Sequence, residues 1–351
     1  MKIEQRVEGA ILGAILGDCV ANPYLFCKAS ALSERRADIG WCVHEMSDES
    51  QLLLVGLGSI EARGMRFDGL VHGYQTWVKG KPADLDHVMA AVFNTKSRLK
   101  PQTLWAMSDQ FDFGSLNSSS LFVRQIPIVL TAWREEDEPR LMSLIARATR
   151  LTHTDERVIE LCQLYALTLA MSLRGESRLH IWDAVQKRIK TSSTYATVLE
   201  SYYRPPRLDG TDYSSNRVTF QRVLFDLWHS QNFVASIRSV IMSGGGTDMN
   251  AAAVGAVLGA FGGLGFLSRT WMNDLRDMYR DQIEEWVDQA CRIAKRRRRV
   301  QYINPVHNND STVIHPTSSA TLPSIARASR RSEPKRASRE NGDVCEGYAE
   351  A

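Results

Sequence analysis

The chain has 351 residues, 44% of them hydrophobic and 24% charged, with a formal net charge of +3. That balance describes a soluble globular protein with enough apolar mass for a sizeable core. No stretch approaches the roughly 18 uncharged apolar residues that a membrane span needs, and the apolar patch at 10–17 is preceded by Glu4 and Glu8, which do not suit a signal peptide. Six scattered cysteines form no CxxC pair and no zinc-ligand spacing, so reduced thiols and a cytoplasmic location are expected. From Lys295 to the end, 11 Lys/Arg face 6 Asp/Glu, so the basic surplus belongs to the tail and the body before it is slightly acidic. No nucleic-acid or membrane partner is implied for the body, although the tail would suit an acidic one.

Taken in chain order, the body reads as helix after helix. Val7, Ala10, Ile11, Ala14 and Ile15 keep the i, i+3, i+4 rhythm over residues 5–17. Similar patterns run over 49–62, 67–78, 84–94, 121–134, 138–150, 155–172, 179–190, 217–228, 232–242, 248–266 and 271–298. Alternating strand patterns are few, and the short connections favour one compact all-α domain over residues 1–299. Two irregular segments interrupt it, at 18–48 and 192–216. Residues 300–351 are rich in Ser, Pro, Arg and Asn and are expected to be a disordered basic tail. The run from Lys295 to Arg299 sits where cations suit the end of the last helix. Gly255, Gly259 and Gly263 share one helix face and would let a second helix approach closely.

Two helix starts carry the candidate chemistry. In "SDESQLLL", Ser47, Asp48, Glu49 and Ser50 precede an apolar run. Taken alone, this is a Ser N-cap with acidic residues in the first turn. In "SGGGTDMNAAAVGAVLG", three glycines lead into Thr247, Asp248 and Asn250 at the start of a small-residue helix. Glycines permit close backbone approach, and free amides at a helix start favour anions. If the two starts face one another, their oxygens converge, and an oxygen-only donor set with hydroxyls and water describes Mg²⁺. Asp18, after the first helix, reads as a residue that shapes the following loop. Trp41, Tyr74 and Trp77 could stack on a base, but core packing is the simpler reading.

Six segments taken together resemble the ADP-ribosylglycohydrolase family, which includes dinitrogenase reductase-activating and ADP-ribosylarginine hydrolases. They are "GAILGAILGDCVANPYLF", "SDESQLLL", "GYQTW", "SLNSSSLFVRQIPIVL" with Arg124 and Pro127, "LTHTDERVIELCQLYALTLA" with His153, and "GGGTDMNAAAVGAVLGAFGG". They occur in the family's order. The resemblance implies an all-α domain with Mg²⁺ in a central cleft, and hydrolysis of the glycosidic bond joining ADP-ribose to a protein side chain, arginine above all. It implies Asp48 and Glu49 as catalytic residues and Ser47, Asp48, Glu49 and Asp248 as metal ligands. Asn117, Ser118, Ser119, Ser120, His153, Gly244 and Gly245 would contact ADP-ribose or the ADP-ribosylated protein.

This chain departs from the family pattern at three positions. Gly246 stands where the family has Asp, Met249 where it has Thr or Ser, and Leu25 where many members carry Glu. A glycine offers no side-chain oxygen, and a thioether is a poor partner for a hard cation. One or two Mg²⁺ ions are therefore in question, the second doubtful. The alternative function is a catalytically impaired module that binds ADP-ribose or an ADP-ribosylated protein without cleaving it.

Overall fold

The computed structural model describes residues 1–61, 64–83, 85–107, 120–189, 200–210 and 215–295. In chain order the helices are α1 (Ile3–Ala21), α2 (Ala29–Glu34), α3 (Asp48–Gly58), α4 (Phe67–Lys79), α5 (His87–Phe93), α6 (Pro101–Met107), α7 (Ser120–Thr131) and α8 (Glu138–Thr149). They continue with α9 (Glu156–Arg174), α10 (Arg178–Arg188), α11 (Asn216–His229), α12 (Phe233–Met242), α13 (Thr247–Gly262) and α14 (Arg269–Lys295). The expected all-α architecture is what forms. One two-residue antiparallel pair, β1 (Ile60–Glu61) with β2 (Gly64–Met65), ends the apolar stretch that periodicity carries on to residue 62.

Small residues set the centre of the fold. Gly9, Gly13 and Gly17 of α1 face Gly259, Gly255 and Ala251 of α13, in antiparallel order. A Cβ built on any of the three α1 glycines would fall inside contact distance of the opposing backbone, so the two helices pack main chain against main chain. Both are buried along nearly their whole length. The C-terminal end of α1 thereby lies beside the N-terminal end of α13. α9 is sheathed around this pair, with Asp155 capping it through Arg157 N and Gly175 closing it at φ 81°.

Three expectations need correction. The segment 18–48 is not structureless: it holds the last turn of α1, a 3₁₀ turn at Asn22–Tyr24, α2, and a second 3₁₀ turn at Arg36–Asp38. Its hydrophobic residues are too few for a periodic signal, and Cys27, Leu32 and Ile39 form a small satellite core of their own. Asp18 lies inside α1 rather than in a loop after it. Finally, α6 has no forecast counterpart.

α14 kinks at Tyr279 (φ −132°, ψ 35°), whose hydroxyl accepts a hydrogen bond from Met46 N at 3.2 Å. Lys295 at its end pairs with Glu4 at 2.9 Å. Residues 296–351, with the rest of the basic run and the tail, lie outside the described residues. Cys19, Cys42, Cys162 and Cys291 are free thiols, as expected. No helix among the described residues is long and apolar enough to cross a membrane.

Candidate active site

The site is built from the end of α1 outward. Asp18, fully buried, points across to the start of α3. Its Oδ1 accepts from Ser47 Oγ at 2.5 Å, and its Oδ2 accepts from Ser47 N and Ser50 N, each at 3.1 Å. Burial is the main cause that pushes the Asp18 carboxyl up to about 6, against the pull of these hydrogen bonds. Ser47 Oγ in turn accepts from Glu49 N at 3.2 Å, the N-cap bond of α3. A hydroxyl has one proton and two lone pairs. With the proton given to Asp18 and one lone pair taken by Glu49 N, one lone pair of Ser47 is left for a ligand.

Asp18, Asp48 and Asp248 all act electrostatically on a fourth carboxylate, Glu49. Glu49 is 1% exposed and its Oε2 has no hydrogen-bond partner among the described residues. Burial raises its proton affinity well above the ordinary value, and Asp48, Asp248 and Asp18 raise it further, while Arg124 opposes them. The two helix starts singled out in the sequence are therefore near enough to feel each other's charge. Asp248 is buried in the first turn of α13, with Oδ1 accepting from Met249 N at 2.7 Å. Thr247 Oγ1 donates to Ala21 O at 3.0 Å and ties the start of α13 to the end of α1.

The side chain of Met249 covers Gly246. A Cβ on Gly246 would meet Met249 Sδ at 2.9 Å, Cγ at 3.0 Å and Cε at 3.1 Å. Two of the three positions read above as departures from the resemblance, Gly246 and Met249, thus pack on each other.

On the other side stands a buried polar chain. Arg124 Nη2 donates to Thr152 Oγ1 at 3.2 Å, and His153 Nδ1 lies 3.0 Å from the same hydroxyl. The Arg124 guanidinium sits 5.7 Å from the Tyr74 ring centroid, and its Nε is buried without a partner. Tyr165 donates to Ala253 O at 3.2 Å, its phenol pushed up by burial and then by Glu49. Ser120 opens α7 and is buried, while Asn117, Ser118 and Ser119 lie outside the described residues.

The glycine loop is arranged differently from the anion cradle expected of it. Gly244 and Gly245 adopt φ of 69° and 72°, and their amides donate to Ile241 O and Cys27 O, both at 2.9 Å. Phe26 N donates back to Gly245 O at 2.8 Å. Thr247 N is likewise taken by Gly245 O. The positive φ values are needed because the loop lies against the backbone of residues 26–29. These amides are consumed inside the fold, and the Leu25 loop is stitched to the glycine loop by the same bonds.

Sequence reasoning gave Asp18 only a loop-shaping part, since its three donors lie 29 to 32 residues away. Thr152 carried no signal of its own. Tyr74 and Trp77 are core residues, as the simpler reading held, and Trp77 Nε1 donates to Gln51 Oε1 at 2.8 Å.

The model of the family described as ADP-ribosylglycohydrolase matches residues 1–301. The chain belongs to the ADP-ribosylglycohydrolase family. A protein of Acanthamoeba polyphaga mimivirus, whose name gives ADP-ribosyl glycohydrolase as its inferred activity, is 23% identical, over 74% of this chain and 87% of that one. A solved structure named as an ADP-ribosylglycohydrolase-related protein complex superposes with a TM-score of 0.67 at 20% identity, over 83% of this chain and 99% of that chain. That likeness shows the shared fold.

The oxygens available to a hard cation are the spare Ser47 lone pair, the unpartnered Glu49 Oε2 and the carboxylates of Asp48 and Asp248, with Arg124 the opposing charge. Among the described residues no three His, Cys, Asp or Glu side chains group closely enough to enclose an ion, so hydroxyl and water oxygens would have to complete the shell.

Proposed function

We propose that this family member hydrolyses the glycosidic bond between ADP-ribose and a protein side chain, arginine above all, with a single Mg²⁺ ion held by Ser47, Asp48, Glu49 and Asp248. The observation that carries this reading is the buried, unpartnered Glu49 Oε2 among like charges. Such an oxygen is stable only with a proton or a cation beside it. When bound, the ion would polarise ribose hydroxyls and hold a water for attack. Every other contribution comes from the chain. Asp18 fixes the Ser47 hydroxyl so that its free lone pair faces the cleft. Asp48 and Glu49 would orient the attacking water from the first turn of α3. Arg124 Nε and His153, steadied by Thr152, would donate to the ADP-ribose moiety, with Ser120 and the preceding residues 117–119 beside them. Gly244 and Gly245 would shape the cleft wall through their backbone path rather than through their amides.

The experiment is release of ADP-ribose from an arginine-ADP-ribosylated protein, with Mg²⁺ and with chelator. Mg²⁺-dependent release that is lost in Asp248→Ala supports the reading, and no release above the chelated control opposes it.

A second reading is favoured by Met249 lying over Gly246. In it the same cleft binds ADP-ribose or an ADP-ribosylated protein without turnover, because a thioether fills the place of two oxygen ligands. Retention of ADP-ribose by a protein that releases none would decide for it.

A further inference from the structure

Apart from the carboxylate centre, a groove of about 1180 Å³ opens between α2 and the exposed side of α12. Its described lining carries two guanidinium groups, Arg36 and Arg238, and no carboxylate. Around them stand Trp41 and the hydroxyls of Ser30, Ser33 and Ser239. This is a lining of donors.

Surface arginines are common, and exposure alone would mean little. Here two of the donors are set in place from behind. The Arg238 guanidinium lies 4.8 Å from the Trp41 ring centroid, a cation–π arrangement that holds the planar group over the indole while its in-plane N–H edges stay available. Trp41 is itself anchored, its carbonyl accepting from Trp271 Nε1 at 2.9 Å. Ser239 Oγ accepts from the fully buried Arg222 at 2.8 Å. Because that bond occupies a lone pair with a charged donor, the Ser239 hydroxyl proton is directed to another acceptor. Arg222 itself is held by Asp226, Ser239 and Ser243. By contrast, no ion pair or hydrogen bond engages the Arg36 or Arg238 guanidinium among the described residues.

A concave surface with two unneutralised guanidinium forks and hydroxyls beside them matches an oxyanion whose charge is spread over several oxygens. We propose that the groove between α2 and α12 binds a phosphate-class oxyanion, a phosphate ester or pyrophosphate, at a site separate from the carboxylate centre. With two guanidinium forks, the lining can meet more oxygens than an isolated phosphate ion presents, which favours a pyrophosphate-bearing ligand.

The test uses the full chain in excess chelator, so that no divalent ion can bridge an anion to the carboxylates. Inorganic pyrophosphate and inorganic phosphate are the probes, followed by calorimetry at two salt concentrations. Pyrophosphate should bind more tightly than phosphate. The double variant Arg36→Gln/Arg238→Gln should weaken it by at least about tenfold, given the strength of charge-assisted hydrogen bonds. Ser239→Ala, a milder change, should weaken it less, and Asp248→Asn should leave it unchanged. Thermal melts of the variants establish that they fold. Binding unaltered by the double arginine variant, binding lost equally in Asp248→Asn, or preference for a glutamate-rich peptide over pyrophosphate would each overturn the proposal. Because chelator is present throughout, these outcomes are independent of whether the carboxylate centre hydrolyses anything.

Discussion

Met249 and Gly246 pack on each other, and their contact gives each a consequence for the other. A side chain introduced at 246 alone must displace the flexible end of Met249. Gly246→Asp is therefore expected to cost about 1–2 kcal/mol, as overpacking does. Adding Met249→Thr removes the obstruction and supplies a hydroxyl, so the double variant should recover most of that loss. It should also show a larger Mg²⁺-induced rise in melting temperature than the natural protein. Urea denaturation and thermal melts with and without Mg²⁺ check both halves. Asp18 carries the second prediction at this scale. Asp18→Asn keeps the size but exchanges an acceptor oxygen for a donor that would face backbone amides, so a loss of about 1–3 kcal/mol in denaturant unfolding is expected. The placement of Asp48, Glu49 and Asp248 in the first turns of two helices was legible in the sequence, because acidic residues at helix starts stand out. The roles of Asp18 and Thr152 were not, because their partners are set by packing between elements distant in sequence.

Among the elements, the α1–α13 contact matters most, because it brings the end of the helix that carries Asp18 to the start of the helix that carries Asp248. Gly13→Ala would drive a methyl into the backbone of Gly255. With main chain on both sides and no flexible side chain to yield, the expected loss exceeds about 3 kcal/mol, near the upper end for overpacking. Gly210→Ala, with nothing near the added carbon, should be nearly neutral and serves as the control. Circular-dichroism melts of the two variants test this. α9 offers a pH-dependent case. Arg157 holds the Asp155 carboxyl below the usual aspartate range, so its capping contribution is full above the unfolded-state pKa and is lost as pH falls through the lowered folded one. Asp155→Ala should cost about 1 kcal/mol near neutral pH and progressively less in acid, measured by urea unfolding across pH. Long helices such as α9 were readable from their apolar period, to within two residues at each end. α2 buries Leu32 alone, too little for a period to show, whereas the similarly short α5 buries Val88, Met89, Val92 and Phe93 and was readable.

For the whole molecule, the matched family region covers residues 1–301 and the described fold is helical throughout apart from one two-residue strand pair. The all-α class was readable because helix follows helix with short connections. What periodicity could not supply is which ends meet, since helix order along the chain does not determine which termini are neighbours. The glycine stripe at 255, 259 and 263 hinted at a close partner without naming α1. Asp18, Asp48 and Asp248 add negative charge around the buried Glu49 at one end of the α1–α13 pair, while the groove beside α12 carries two arginines. The central claim is that the acidic end holds one divalent cation shared between α3 and α13. Calorimetric titration of the natural protein with Mg²⁺ in the presence of ADP-ribose tests it most directly. One ion per chain, with binding abolished in Asp248→Ala, is the predicted result. Two ions per chain, no binding, or a titration that Asp248→Ala leaves unchanged would contradict it.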